Sequence, residues 1–228
     1  MARPKLKNAG KNKQSTRERL LDTAGLLLAE VGMDRISTNL ICERAGVTPP
    51  ALYYYFGDKY EVLAALGERL MDRQNVILTQ WLDRHAAGGL AGYLDNFRDL
   101  LRESIEVTER EPGGPWIERA LHATPRLEHI RLESHNYATE RLVEAYAPFL
   151  PRRSREELWQ HMRMMVEFGY VAMEMTHADT GLSRDAILDK TTTLLRIATE
   201  ELASLTGDRS RHEPAPAPPM RDLIDDRE

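Results

Sequence analysis

Cysteine is almost missing from this chain of 228 residues, since Cys42 is its sole example. One thiol excludes an intramolecular disulfide framework and a cysteine-based zinc site. The sequence also lacks any run that approaches the ~18 consecutive apolar residues of a membrane-spanning helix. Its basic first segment, residues 1–13, precedes no apolar stretch, so it does not resemble a secretory signal. These absences predict a cytoplasmic protein that has no membrane partner.

Lysine is scarce after the first thirteen residues, since only Lys59 and Lys190 occur in the rest of the chain. Residues 1–60 nevertheless carry ten basic against six acidic side chains, whereas the remaining residues carry 21 against 30. A basic end on an acidic body is typical of a chain that binds a polyanion at that end. A solvated basic tail that only aids solubility is the alternative.

Strand-like alternation is lacking too, because apolar residues recur at helical spacing through almost the whole chain. Capping-box patterns at Ser15, Asp58 and Ser154, and the pair Thr124-Pro125, indicate helix starts. The sequence therefore predicts an all-α fold of about nine helices, near residues 16–31, 38–45, 49–56, 59–85, 90–109, 115–122, 125–147, 155–178 and 184–206.

A tight turn joins the second and third predicted helices. Ser37 or Thr38 can cap the second helix, and Ala45-Gly46-Val47-Thr48 forms a glycine-containing turn before the third. Two short helices joined in this way are typical of a helix-turn-helix, here predicted over about residues 37–56.

The phase of the third helix separates a packed side from a free side. At 100° per residue its large apolar side chains cluster together, which leaves the opposite side to Pro50, Tyr53 and Tyr54. Exposed neighbouring aromatics need a partner. A DNA groove supplies one, since hydroxyls contact phosphates and rings contact thymine methyl groups. A protein–protein patch is the alternative.

The stretch Val47-Thr-Pro-Pro-Ala-Leu-Tyr-Tyr-Tyr-Phe-Gly-Asp-Lys59, after Ile41-Cys-Glu-Arg-Ala-Gly46, resembles the DNA-binding domain of the TetR family of bacterial transcriptional regulators. The resemblance covers roughly residues 15–75. It implies a ligand-responsive regulator, expected to be a repressor, that binds a palindromic operator as a homodimer and is released by a small effector. The family's usual DNA-facing positions correspond here to Thr38, Thr48, Pro49, Pro50, Ala51, Tyr53, Tyr54 and Lys59.

With this resemblance, the chain divides into consecutive parts. We expect a basic flexible arm at 1–14, a DNA-binding domain at 15–60, and a connecting helix from Lys59. An effector-binding and dimerisation domain follows at 85–207, and a disordered tail at 208–228.

Two departures from the family pattern stand in the motif. Pro49-Pro50 removes two N–H donors at the start of the third helix, so that Thr48 can cap only through the N–H of Ala51. Cys42 replaces a common alanine, and we expect a buried small residue, with a redox-sensing thiol as the alternative.

At the start of the fourth helix Lys59 is expected to contact a phosphate, with a plain surface lysine as the alternative.

The last two helices carry the expected dimer interface. The eighth is apolar nearly all round, which predicts burial on two sides, and a small-residue stripe would allow close approach of another backbone. In the resembled family these helices form a four-helix interface between protomers. The expected interface residues are Gly169, Ala172, Thr176, Ile187, Leu194, Ala198 and Leu202, and a purely intramolecular core helix is the alternative.

An effector pocket is expected among the apolar faces of helices four to eight. Five methionines in helix eight suit a site that reshapes itself around a ligand. The effector is expected to be largely apolar or aromatic, oriented by Tyr137 or a nearby histidine. The candidate lining residues are Leu66, Leu70, Phe97, Leu101, Ile105, Trp116, Tyr137, Met165, Phe168 and Met173.

Catalytic signatures are lacking, so we expect neither an enzyme, nor a metal site, nor a cofactor. Glu174 and His177 have the spacing of a diiron half-site, but no second copy exists. His122, His129 and His135 are expected to be surface histidines rather than metal ligands. The alternative function is a helical-bundle protein, a small-molecule binder or an enzyme, that does not act on DNA.

Overall fold

The computed structural model describes the backbone of residues 6–204 and the side chains of residues 16–204. Within this part of the chain every regular element is helical, which confirms the all-α prediction. Short 3-10 turns follow α4 and α7, at Ala86–Gly88 and Ala147–Phe149. The α-helices are α1 (Leu6–Arg35), α2 (Thr38–Ala45), α3 (Pro49–Tyr53), α4 (Lys59–His85), α5 (Gly89–Arg110), α6 (Gly114–Ala123), α7 (Glu128–Tyr146), α8 (Arg155–Thr176) and α9 (Arg184–Ser204).

The N-terminal helices bury one face in a first hydrophobic core. Leu21 and Leu27 of α1 and Leu52 of α3 are fully buried there, against the first half of α4. Helix α6 belongs to the same core, to which it contributes Ile117 and Leu121. An element from the C-terminal half of the chain therefore packs directly on the N-terminal helices.

A second core joins the remaining helices to the far half of α4. Trp81 of α4 is fully buried, and its indole N–H donates to the carbonyl of Asn96 at 3.0 Å. Tyr93 of α5 stacks on Tyr146 of α7 with ring centroids 5.1 Å apart, and its ring centroid lies 5.5 Å from that of Trp81. Helix α4, about 40 Å long at 1.5 Å per residue, thus carries residues of both cores.

Several predicted helix ends are confirmed by their caps. The Asp58 carboxylate accepts from the N–H groups of Tyr60 and Glu61, at 2.8 and 3.0 Å. Ser154 and Glu157 form the complete reciprocal capping box. Both sites pair a short polar acceptor with free N–H groups of the first turn, which is a local preference that sequence pattern captures well.

Other ends differ from the prediction. Helix α1 begins at Leu6, so Ser15 lies inside the helix and does not cap it. Thr124 is extended and ends α6, because residues 125–127 form a turn before α7 begins at Glu128. Helix α3 stops at Tyr53, since the N–H groups of both Tyr55 and Phe56 turn back to the carbonyl of Leu52. The predicted tail at 208–228 and residues 1–5 of the predicted arm lie outside the described residues.

Candidate functional site

The turn between α2 and α3 is held by backbone hydrogen bonds. Ser37, rather than Thr38, caps α2 by accepting from the N–H of Leu40 at 3.2 Å. Gly46 ends that helix at φ 63°, a left-handed conformation that glycine adopts without strain. The N–H of Val47 then donates to the carbonyl of Cys42 at 3.0 Å. The predicted helix-turn-helix is present at the predicted place.

The start of α3 is capped by backbone atoms alone. Thr48 occupies the capping position, but its side chain makes no capping hydrogen bond; the N–H of Ala51 donates instead to the Thr48 backbone carbonyl at 2.9 Å. The prediction that the Thr48 hydroxyl caps α3 is therefore wrong. Thr48, Pro49 and Pro50 are all exposed. This end of α3 presents a hydroxyl and two proline rings to its surroundings.

Tyr53 and Tyr54 extend the same exposed surface. The exposed fractions of Tyr53 and Tyr54 are 52% and 65%, whereas Phe56, two residues after Tyr54, is buried in the first core. The Tyr53 hydroxyl lies 3.2 Å from the Thr38 hydroxyl, which links α3 to the start of α2. Tyr55 is half-buried rather than fully buried. The predicted division of α3 into a packed side and an exposed side is confirmed.

Lys59 lies differently from the prediction. Its ammonium group donates to the carbonyls of Met33 and Ile36, at 3.1 and 3.3 Å, and so ties the end of α1 to α4. The N-terminal N–H groups of α4 are already occupied by the Asp58 carboxylate, which also pairs with Arg126 at 2.9 Å. A hydrogen bond from the N–H of Glu61 is the main cause that lowers the pKa of Asp58. Lys59 therefore has a structural role, and its phosphate contact stays a prediction.

A close contact joins the α5–α6 loop to α1. A Cβ placed on Gly25 would overlap the carbonyl of Pro112, and one placed on Gly113 would overlap the carbonyl of Gly25. Only glycine allows the two backbones to approach this closely, and Gly113 also has φ 73°. The loop between α5 and α6 consequently rests on the backbone of α1.

Charged side chains reinforce this contact. Arg69 of α4 donates to Glu18 and Asp22 of α1, at 2.7 and 2.8 Å, and also to Glu111 of the loop. Arg73 donates to the other oxygen of the same Glu111 carboxylate, which is 2% exposed. Two cations therefore compensate one buried charge. The network connects α1, α4 and the α5–α6 loop.

A cavity of about 60 Å³ lies between α4, α5, α7 and α8. Four of the predicted effector-binding residues line it: Phe97, Leu101, Met165 and Met173. The volume is less than half of the ~150 Å³ of a cavity known to hold benzene. A drug-sized ligand would therefore have to enlarge it.

The other predicted effector-binding residues lie elsewhere. Leu66 and Leu70 are in the first core, because α4 turns that end of its apolar stripe towards α1 and α6, and Ile105 is buried in the second core. Trp116 and Phe168 are exposed at the surface. Tyr137 lines an open groove between α4 and α7, where its hydroxyl is 3.4 Å from that of Thr79. None of these six residues lines the cavity, and their predicted role in effector binding stays a prediction.

Polar residues on the cavity wall escaped the sequence prediction. Gln74 lies four residues from both Leu70 and Leu78, so its place on the apolar stripe of α4 was a usable signal. It accepts from the Tyr170 hydroxyl at 3.1 Å and donates to Thr108 at 2.9 Å and to Glu118 at 2.7 Å. Burial raises the pKa of Glu118, although these hydrogen bonds act against the rise. The network leads from the cavity wall towards the α5–α6 loop.

His135 is completely buried, which contradicts its assignment to the surface; His122 and His129 are exposed as expected. The ring stacks on Tyr170 at 4.0 Å, and its Nδ1 lies 3.0 Å from a carboxylate oxygen of Glu167. Burial lowers the pKa of His135 to about 4, despite the opposing effect of Glu167. The ring is neutral at pH 7 and donates from Nδ1.

The outer faces of α8 and α9 differ from the predicted interface. Gly169 and Ala172 are buried within the chain, Gly169 on the cavity wall, and Ile187 is buried in the same way. Leu194 and Ala198 are exposed, while Thr176 and Leu202 are half-buried. The apolar residues that α8 exposes are instead Met164, Phe168 and Val171, and α9 adds Ile197. Periodicity found the apolar content of α8 and the inward direction of Met165 and Met173, but it placed Gly169 and Ala172 on the outer face and Phe168 on the inner one.

Cys42 is buried, and burial raises the pKa of its thiol. This agrees with a packing role more closely than with a reactive thiolate. No helix among the described residues is long and apolar enough to cross a membrane. In the same part of the chain, no group of three or more histidine, cysteine, aspartate or glutamate side chains is arranged to hold a metal ion.

Comparison with known proteins identifies relatives of the N-terminal region. Residues 20–66 match the family model described as bacterial regulatory proteins, tetR family. The tetracycline repressor protein class C of Escherichia coli is 33% identical over 108 residues, 46% of this chain and 49% of that protein. The nucleoid occlusion factor SlmA of Haemophilus ducreyi is 35% identical over 114 residues, 50% of this chain and 54% of that protein. The chain spans about half the length of the curated relatives it matches.

A solved structure matches over a longer range. SmeT, the repressor of the Stenotrophomonas maltophilia multidrug efflux pump SmeDEF, has a TM-score of 0.60 and 23% identity, covering 83% of this chain and 91% of SmeT. A complex of SmeT with triclosan also matches, with a TM-score of 0.57. These likenesses show the shared fold of both halves. The helix-turn-helix and the matched family model lead to a conclusion about the N-terminal region: residues 20–66 belong to the tetR family of bacterial regulatory proteins.

Proposed function

We propose that this protein is a transcriptional repressor that binds a palindromic DNA operator as a homodimer and releases it when a small, largely apolar effector binds. The observation that carries the DNA-binding part is the exposed surface of α3, formed by Pro50, Tyr53 and Tyr54 beside Thr38 of α2. The second helix of a helix-turn-helix reads the major groove. Tyrosine hydroxyls suit phosphates and base edges there, and proline carbons suit thymine methyl groups.

The DNA-binding part can be tested with substituted tyrosines. A preferred duplex is first selected from a random pool with the wild-type protein. Tyr54→Ala is expected to weaken binding to that duplex by about 1–3 kcal/mol if the side chain contacts a base. Tyr137→Ala, an exposed tyrosine on α7 away from the helix-turn-helix, is the control and should bind as the wild type does. Failure to select any preferred duplex would contradict the proposal.

Lys59 requires a separate measurement, because its substitution also removes two hydrogen bonds to α1. If the lysine contacts a phosphate, Lys59→Met lowers the slope of log affinity against log salt by about one unit on every duplex. If it acts only on the structure, the melting temperature falls while the salt slope stays unchanged. The second result would leave Lys59 out of the DNA-binding surface.

The homodimer is proposed to form through the outer faces of α8 and α9. Phe168 follows Met164 by four residues and precedes Val171 by three, so the three exposed side chains lie on one face of α8. Leu194 and Ile197 of the neighbouring helix α9 are also exposed, to 68% and 55%. Large apolar side chains exposed on two packed helices are typical of a subunit interface. Two recognition helices related by a two-fold axis then favour half-sites about 34 Å apart or slightly further.

The interface can be tested by placing a charge on it. Ile197→Asp is expected to make the protein monomeric in sedimentation at micromolar concentration, because the carboxylate would lose its water in an apolar interface. Trp116→Asp, which alters an exposed aromatic on α6, should leave the dimer intact. A wild-type sedimentation mass near that of one chain would rule out the homodimer.

The effector is proposed to bind in the cavity between α4, α5, α7 and α8. Met165 and Met173 in its wall can change rotamer to enlarge it. The complex of SmeT with triclosan supports an apolar small molecule, through the resemblance alone. Gln74 in the wall donates to Thr108 of α5, and from Thr108 the chain continues into the loop that rests on α1. A change in the cavity can therefore alter the position of the DNA-binding helices.

Binding and release share one coupling free energy, so the proposal has a two-sided test. A compound that raises the melting temperature through the cavity should lower operator affinity, and operator DNA should weaken that compound's binding by the same factor. Leu101→Trp fills the cavity and should abolish both effects. A compound that binds the cavity tightly and leaves operator affinity unchanged would contradict the proposed release.

A further inference from the structure

A second, smaller cavity of about 10 Å³ lies beside the first, and Tyr170 belongs to the walls of both. It is bounded by α4, α6, α7 and α8. Its volume suits a single polar group of the size of a hydroxyl group or a water molecule. The polar or ionisable side chains on its wall are Glu118, His122, Arg131, His135, Tyr170 and Glu174.

Two of the residues that line this cavity each have a buried polar atom without a hydrogen-bond partner among the described residues. The first is Nε2 of His135, whose side chain is completely buried. Because the neutral ring donates from Nδ1 to Glu167, its Nε2 carries a lone pair and can only accept. Although burial acts to raise the pKa of Glu167, hydrogen bonds and charges from His135 and Arg163 lower it, which keeps Glu167 an acceptor.

The second unpaired atom is Nε of Arg131, which can only donate. The terminal nitrogens of Arg131 are already paired with Glu128 at 3.4 Å and with Glu167 at 3.8 Å. The residues that line the cavity thus include one acceptor and one donor that lack a partner. Buried polar atoms left unpaired cost free energy that a suitable ligand group recovers.

The chemistry of the missing group follows from this pair. A hydroxyl group can donate to His135 Nε2 and accept from Arg131 Nε–H at once. A carboxylate could not donate to Nε2, and it would meet the carboxyl groups of Glu118 and Glu174 in the same wall. An ammonium group could not accept from Nε–H. Only an uncharged group that both donates and accepts satisfies the two atoms.

We infer that the effector is an uncharged apolar molecule with a hydroxyl group, which binds between His135 and Arg131 while the apolar body occupies the first cavity. This inference rests on the proposed effector site and adds the chemical class of its ligand. Tyr170 lines both cavities and donates to Gln74. A ligand that occupies both cavities is therefore expected to move its ring or break that hydrogen bond. The polar network of Gln74, Thr108 and Glu118 senses this movement directly.

The inference is tested with four probes that share one aromatic body: 4-ethylphenol, ethylbenzene, 4-ethylbenzoate and 4-ethylbenzylamine. Their affinities for the full chain are measured by calorimetry at pH 7. We expect 4-ethylphenol to bind about tenfold more tightly than ethylbenzene, because a site built to pair with a hydroxyl discriminates against an analogue without one. The benzoate and the benzylamine should bind more weakly than the phenol.

Two variants assign this preference to the second cavity. His135→Phe keeps a ring against Tyr170 and removes the acceptor, and Arg131→Met removes the donor; each should reduce the preference for 4-ethylphenol over ethylbenzene to below about threefold. Ethylbenzene affinity should stay unchanged in both variants, which shows that the first cavity is intact. Arg141→Met, on α7 but outside both cavity walls, is the matched control and should retain the tenfold preference.

Equal binding of the phenol and ethylbenzene by the wild type, tighter binding of either charged probe, or no binding of any probe would overturn the inference. These outcomes are separate from those that test the proposed function. If ethylbenzene binds as well as the phenol and both lower operator affinity, the result supports the proposed repressor and contradicts the inferred preference for a hydroxyl group. If the phenol binds through His135 and operator affinity does not change, the hydroxyl site stands and the proposed release falls.

Discussion

The buried His135 makes stability depend on pH in a way that can be calculated. Burial lowers its pKa from an ordinary value of 6.5 to about 4. Between these two values the unfolded chain binds a proton that the folded chain does not. Stability therefore rises with pH across this window and is lost as the pH falls through it. At 1.36 kcal/mol per pKa unit, the difference contributes about 3 kcal/mol of stability at pH 7 that is gone below pH 4.

The test compares urea unfolding of the wild type and His135→Phe from pH 7.5 to pH 4, at fixed protein concentration. His161 and His177 also have pKa values lowered by burial, so the wild type alone does not isolate His135. The difference in unfolding free energy between the wild type and His135→Phe isolates the contribution of His135. As the pH falls across this window, the wild type should lose about 3 kcal/mol more than the variant.

His129 is the matched control, since it lies on the same helix and is exposed. His129→Gln should follow the wild-type pH dependence throughout. If the difference between the wild type and His135→Phe is the same at pH 4 and pH 7.5 within about 0.5 kcal/mol, His135 is not buried as a neutral ring. The lone pair on Nε2, on which the hydroxyl site depends, would then be in doubt as well.

Three further substitutions test the contacts around the cavity and the loop. Glu111→Gln should destabilise the protein by about 3 kcal/mol in thermal unfolding, because it leaves Arg69 and Arg73 without their shared buried charge, whereas the exposed Glu109→Gln should cost less than about 0.5 kcal/mol. Gly113→Ala should cost clearly more than the ~1 kcal/mol expected for Gly181→Ala, since both have positive φ but only Gly113 meets the backbone of α1; equal melting temperatures would contradict the close contact. Glu118→Gln should stabilise the protein more at pH 8 than at pH 5, because burial raises the pKa of the carboxyl and its ionisation at higher pH opposes folding; a pH-independent effect in calorimetric scans would refute this.

The helix-turn-helix was predictable because its determinants are local. Gly46 supplies the left-handed residue of the turn, and Ser37 and Asp58 supply caps to N–H groups two or three residues away. The large apolar side chains of α3 show which side of the helix packs. The exposure of Tyr53 and Tyr54 then follows from their angular positions at 100° per residue. Each of these depends on neighbours in sequence, which a single chain displays.

What lies opposite a helix is not local, and only the tertiary structure decided it. Periodicity places Gly169 and Phe168 on different faces of α8, but it does not say which face meets α5 and which is left outside. Lys59 was predicted to contact a phosphate at the start of α4, but its ammonium group donates to two backbone carbonyls at the end of α1. His135 was assigned to the surface from its polarity, although a partner 32 residues away, Glu167, made its burial tolerable. Whether a residue is buried depends on the free energy of its contacts with partners that are distant in the sequence. A sequence pattern shows the residue but does not identify those partners.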